Sequence, residues 1–477
     1  MLRRHEGYFF VVFFLLYFFC GLWVHAMGFW GSEEVYLLER ALLVVRGQPA
    51  RFENVGLTYP PLPFALLFIP AALGFHLQGG VFVSSLCGGF TACFLSSLTK
   101  EKFALCLLAL LLTHPLFLYA FSVSGSQGMF LLILVLYVCF HKRFLEKRQK
   151  DLFVFALASL CFGIAVVTRY ETLFFLFPLI FTLIRREDRW LLLSKMAIFI
   201  FPVIFLFGGW MYINWLYKGD PLYFVHTLSM INPNPPARGH ASWLHLFIPL
   251  LYFPIHLVSL WQFKNRGQFL LLLLSPLIVA FIVLWFSETA LSLSFFALLG
   301  GLGFVFLKPP RGWFKPVLLL GTMAGIWLGW MSPEGWQWGP ERSFAALLLK
   351  GEKQEVFLQE KQVAAYLKKL KGRIFFDDTN GYPVVFFHGN PKVFILPYQF
   401  EFGFYIKCPS LISRYLALPS PYGKSDAVNG SNSDIFFGKS PKWKLIEQVG
   451  EWRIFESVPR AFPVNRPVDR IDGRLRQ

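Results

Sequence analysis

Apolar stretches recur along this chain so closely that almost nothing between them could wrap a soluble core. They fall near 8–28, 62–77, 79–98, 103–121, 128–141, 152–168, 172–184, 191–217, 243–263, 269–287, 289–307 and 315–331. Most are near the length that a helix needs to cross the hydrocarbon of a bilayer. Across all 477 residues 56% are hydrophobic, 15% are charged and mean hydropathy is +0.53, so the chain reads as an integral membrane protein. The first run follows "MLRRHEG" without a small-residue cleavage site and reads as a first span, not a leader.

The net charge of +17 sits mainly in short loops, where it reports topology and not nucleic-acid binding. Basic residues cluster at Arg3 and Arg4, Lys100 and Lys102, "HKRFLEKRQK" (141–150), "RREDR" (185–189), "FKNRGQ" (263–268) and "KPPRGWFK" (308–315). Lys and Arg collect on the cytoplasmic side. If all twelve runs spanned, 141–150 would lie outside. The parity is restored if 62–77, short and interrupted by Pro63 and Pro70, lies on the outer leaflet. The expectation is therefore an all-α polytopic protein of about eleven spans. Residues 29–78, 122–127, 168–171, 218–242 and 287–288 then face outward.

Residues 332–457 are mixed in character and read as a small extracytoplasmic α/β domain. A helix is expected in 353–372, with strands in "RIFFD", "KVFIL", "RYLAL", "KWKLIEQV" and "EWRIFE". The basic, Pro-containing end, 458–477, reads as disordered. Six cysteines lie in apolar runs and only Cys408 in this domain, so it has no disulfide framework of its own. There is no CxxC or His-x-x-x-His pair for structural zinc. The "NGS" at 429–431 is a glycosylation sequon on the outer side.

Polar groups that could carry chemistry gather in the outer segments. In "FWGSEEVYLLERALLVVRGQP" (29–49), Glu33 and Glu34 stand where the first span leaves the lipid. They suit a helix first turn, with Ser32 as its cap, or a general base at the lip of an outward cavity. Arg169 and Glu171 in "TRYETLFF" read as a polar turn with a snorkelling Arg, or as a fork for an anionic group. "NVGLTYPPL" (54–62) fixes an extended lead into the surface helix. Asp377 and Asp378 read as strand end and helix cap, with Asp378 or Thr379 capping; Glu288 reads as a loop charge, and His114, beside Pro115, as a satisfied helix residue.

In order, the chain offers a first span, an acidic pair, then Tyr36, Ala41, Gly47–Pro49 and Pro60-Pro61-Leu62. This series resembles the GT-C-fold glycosyltransferases, and among them family 39, with the protein O-mannosyltransferases and the lipid A aminoarabinose transferases. The resemblance covers roughly residues 1–240. It implies a donor sugar on a polyprenyl phosphate, an acceptor that is a lipid, glycan or protein, and an active site facing away from the cytoplasm of a bacterial inner membrane. It implies Glu33 as base at the family's Asp position, Glu34 orienting it or the acceptor, and Arg169 on the departing lipid phosphate. Tyr36, Tyr59, Gln127 and Glu171 would line the substrate. Three positions depart from the pattern: Glu33 replaces Asp, Ser126 and Gln127 stand where many relatives carry an acid, and Thr58-Tyr59 replaces a Lys before the prolines. No cofactor is demanded, and a divalent metal is left open. The competing classes are a flippase for polyprenyl-linked saccharides and a non-catalytic lipid-binding relative. No repeated half, the usual mark of a transporter, is found in the sequence.

Overall fold

The computed structural model describes residues 4–123, 125–147, 151–184, 189–231, 249–263, 266–286, 293–308, 312–331, 339–422 and 426–458. Glu288 and the basic end at 459–477 lie outside them. Contacts divide the chain into two compact units, Met1–Leu358 and Gln359–Gln477. The helix Gly339–Lys350, grouped on sequence with the C-terminal domain, therefore belongs to the first unit.

The described secondary structure of the first unit is all helical. Its opening elements are α1 (Arg4–Ala26), α2 (Ser32–Arg46), α3 (Pro61–Leu73), α4 (Gly79–Ser97), α5 (Lys102–Leu112), α6 (Pro115–Ser122), α7 (Gln127–Glu146), α8 (Leu152–Val166), α9 (Leu176–Leu183), α10 (Arg189–Lys218) and α11 (Tyr223–Ile231). By length and composition α1, α4, α7 and α10 can each cross a membrane, and α5 with α6 makes a fifth candidate bent by 67°. Six shorter apolar helices, α3 among them, complete the set. The run at 243–263 is described only from 249 onward, with a helix at Pro254–Gln262. With 13 residues α3 reaches about 20 Å, short of the roughly 30 Å hydrocarbon core, and it begins with Pro61 at its first position.

The bend at α5–α6 has a chemical cause. Pro115 has no N–H to continue the ladder. His114 is not an interior helix residue but the cap of α6, its Nδ1 accepting from the Leu116 N–H at 3.2 Å. The carbonyl of Leu112, which Leu116 would otherwise satisfy, accepts instead from the Tyr17 hydroxyl at 2.9 Å. The same Tyr17 ring packs where a Cβ on Gly88 would stand, so small residues on α4 bring α1 close.

The second unit carries a five-stranded sheet in the order β2-β1-β3-β5-β4: β1 Ile374–Phe375, β2 Phe394–Ile395, β3 Tyr415–Leu418, β4 Trp443–Val449 and β5 Trp452–Ser457. β1 pairs in parallel with β2 and β3, while β5 runs antiparallel to β3 and β4; four strands fall within their expected segments, and β5 runs one residue past its own, to Ser457. Phe375, Ile395, Leu416 and Phe455 share its core with Phe402 and Trp443. Asp377, not Asp378 or Thr379, caps the helix Asp378–His388; it accepts from Thr379 N–H at 2.9 Å and also from Ala427 N–H at 2.7 Å. Asn429 of the sequon is buried and donates to the Pro419 carbonyl at 2.8 Å.

Candidate active site

The two adjacent carboxylates of α2 do different things because one residue of helix turns the side chain by about 100°. Gly31 is the cap of α2, and Ser32, expected there, is its first helical residue; the cap offers no side-chain hydrogen bond. From that first turn Glu34 points inward. Its side chain is fully buried, its Oε2 lies 3.1 Å from His25 Nε2, and the His25 ring stacks on Trp30 with centroids 3.8 Å apart. Gly80 makes the room: a Cβ there would overlap the Glu34 carboxylate. Burial raises the Glu34 carboxyl above its ordinary value, and His25 only partly counters this.

Glu33 points the other way, toward α7 and the turn after α8. Its side chain retains 31% exposure, and its Oε2 is 3.6 Å from Arg169 Nη1. Its Oε1 accepts a short hydrogen bond from the Ser126 hydroxyl. Arg169 leaves α8 in an extended conformation, and its guanidinium is the hub of the cluster. Nη1 donates to Ser126 Oγ at 3.1 Å and Gln127 Oε1 at 2.9 Å, Nη2 donates to Glu171 Oε1 at 2.9 Å, and Nε reaches Glu171 Oε2 at 3.4 Å. Burial opposes the charge on Arg169, but Glu171 and Glu33 outweigh it and push its pKa above the ordinary value. Burial likewise works to raise the Glu171 carboxyl, and Arg169 overrides it, holding Glu171 below its usual range. Ser126 and Gln127, the neutral residues that depart from the family pattern, are thus the uncharged acceptors of the guanidinium.

Tyr36 lies one turn along α2 from Glu33, on the same face. Its ring meets Tyr59 at 5.0 Å, and the Arg40 guanidinium lies 5.1 Å from its centroid. Gly56, with φ +83°, brings the backbone against the Tyr36 hydroxyl. The loop bearing Tyr59 is tied to the Arg169 turn. Tyr170 donates to the Thr58 carbonyl at 3.1 Å, Trp210 Nε1 donates to Tyr170 at 2.8 Å, and the Leu62 N–H donates to the Val167 carbonyl at 3.1 Å. The structure therefore gathers Glu33, Arg169, Gln127 and Glu171 in one cluster, sets Tyr36 against Tyr59, and turns Glu34 away. His25, Gly80, Tyr170 and Trp210 were not singled out on sequence. Tyr170 stands within the quoted "TRYETLFF", but the contacts of all four follow only from the fold. Among the described residues no three His, Cys, Asp or Glu side chains converge as metal ligands.

Most of the chain can be laid over the crystal structure of ArnT from Cupriavidus metallidurans bound to undecaprenyl phosphate. The TM-score is 0.60 over 94% of this chain and 98% of that one. The chain has the ArnT fold. Identity is 14%, so the likeness speaks to architecture: a GT-C polytopic membrane protein with a small C-terminal domain. It extends well past residues 1–240, which carry the sequence resemblance. No protein-family model matches the chain, and neither does any curated protein.

Proposed function

We propose that this protein is an integral membrane glycosyltransferase. It moves a sugar from a polyprenyl-phosphate donor to an acceptor hydroxyl on the extracytoplasmic face. The observation that carries the reading is the partly exposed Glu33 carboxylate 3.6 Å from the Arg169 guanidinium, in a chain with the fold of a protein crystallised with undecaprenyl phosphate. A carboxylate beside a guanidinium suits a reaction in which a hydroxyl loses a proton while a phosphate leaves.

Glu33 takes the acceptor proton as the acceptor oxygen bonds to C1 of the sugar. The C1–O bond to phosphate breaks, and its electron pair goes to the leaving lipid phosphate. Arg169 offsets the charge that grows there. Glu171, held by both Nη2 and Nε, orients the guanidinium, and Tyr36 and Tyr59 offer ring faces beside it. Glu34 acts through position only, since it is fully buried and paired with His25 on the side away from Glu33. The distribution of the basic loops supports an outer position for this end of the bundle.

The test is transfer of radiolabelled sugar from a polyprenyl-phosphate donor by the purified full-length protein. Transfer that depends on Glu33 supports the reading. Donor binding with no transfer to any lipid, glycan or protein acceptor would make the chain a lipid-binding relative.

A further inference from the structure

A cavity of about 620 Å³ opens far from Glu33 and Arg169. The helix α7 connects the two places. Gln127 at its start bonds Arg169, while Arg143 and Glu146 at its end line the cavity. Arg143 and Glu146 stand 16 and 19 residues along the helix from Gln127, about 24–28 Å, most of the thickness of a hydrocarbon core. The basic loops assign the cavity end to the cytoplasmic leaflet.

Its lining is of two kinds. Phe94 and Leu98 at the end of α4, Phe140 on α7 and Leu307 form an apolar wall, and Leu98 is 45% exposed. Lys142, Arg143 and Lys147 are cationic against one acid, Glu146. Lys142 is held by the Val305 carbonyl at 2.7 Å and lies 3.7 Å from Glu146, and Lys147 pairs with Asp151. Arg143 is exposed, and among the described residues its side chain makes no hydrogen bond or ion pair. A soluble anion would engage the cations and leave the wall wet. An amphiphile covers both.

We propose that this cavity binds an anionic phospholipid of the cytoplasmic leaflet. Its phosphate sits at Arg143 and Lys147, with an acyl chain along Phe94, Leu98 and Phe140. Basic pockets between helices at this depth suit such head groups. The site stands apart from the transferase reading and does not depend on it.

The test is native mass spectrometry of the full-length protein in detergent. It is titrated with dioleoyl phosphatidylglycerol and, separately, with dioleoyl phosphatidylcholine. The wild type should retain phosphatidylglycerol in preference. Arg143→Gln with Lys147→Gln should weaken retention by roughly thirtyfold, at about fivefold per cation. The charge-matched pair Arg189→Gln with Arg266→Gln, on the same basic face, should leave it unchanged. Ser97→Trp keeps every charge but fills the cavity, and it should also abolish retention. If the first pair does not fold, Ser97→Trp decides on the same readout. Equal retention by the first pair and its charge-matched control would overturn the proposal. So would equal binding of the two lipids, or loss of the lipid to excess inorganic phosphate, which would mark a free-anion site.

Discussion

Glu33→Gln and Glu34→Gln should give opposite results, although the residues are neighbours. Glutamine at 33 keeps the size and can still accept from Ser126. It loses an ion pair whose side chains are 31% and 16% exposed, worth about 0.2–1 kcal/mol, and a helix N-terminal charge worth about 0.3–1 kcal/mol. The fold should lose under about 2 kcal/mol. If Glu33 is the base, turnover should fall by roughly 10²–10⁴. Glutamine at 34 changes a fully buried group paired with His25, and stability should fall by about 1–3 kcal/mol. Turnover per folded molecule should stay near wild type. The assay is sugar transfer normalised to monodisperse protein, with thermal unfolding in the same detergent. Full turnover in Glu33→Gln with none in Glu34→Gln would move the base inward by one residue. Full turnover in both and in the double variant would refute the mechanism.

Arg169→Ala should raise the donor KM and lower kcat together, and Arg169→Lys should recover only part, since a single ammonium cannot reproduce the fork; steady-state kinetics would show kcat untouched if the role were structural alone. Gly80→Ala should cost about 1–3 kcal/mol by overpacking the Glu34 carboxylate, and clearly less in a Glu34→Ala background, a non-additivity visible in paired melts. Asp426 is pushed up to about 7 by burial, with Asp377 adding to the effect. Its native state holds a proton that the unfolded chain has released, so its contribution to stability is lost as pH rises from about 4 to 7, at about 1.36 kcal/mol per unit. Hydrogen exchange of 427–436 in the full chain, corrected for intrinsic rates, should show protection falling over that window, and Asp426→Asn should flatten it.

The helices were legible because lipid and packing both demand long apolar runs. The strands were legible because alternation and β-branched or aromatic content survive even in two-residue ladders such as Ile374–Phe375. Cap positions slipped by one residue at Ser32 and at Asp378. The capping residue is set by where the chain turns, and Gly31 and Asp377 happen to sit there. The bend within the run at 103–121 was not legible, because composition does not register that His114 and Leu116 close a cap around Pro115. Glu33, Arg169, Gln127 and Glu171 could each be named from outer-segment polarity. That Glu34 faces His25 could not, because it needs the turn at 27–31 and the missing Cβ of Gly80.

Arg169 already has four hydrogen bonds within the chain, to Ser126, Gln127 and, twice, to Glu171. A phosphate arriving there exchanges with resident partners and does not fill a vacancy. Its affinity is then a difference between two nearly satisfied states, modest in size and sensitive to which partner yields. If the yielding partner is Glu33, the carboxylate is released from its counter-ion only when donor is present, and an idle site holds no loose base to activate water.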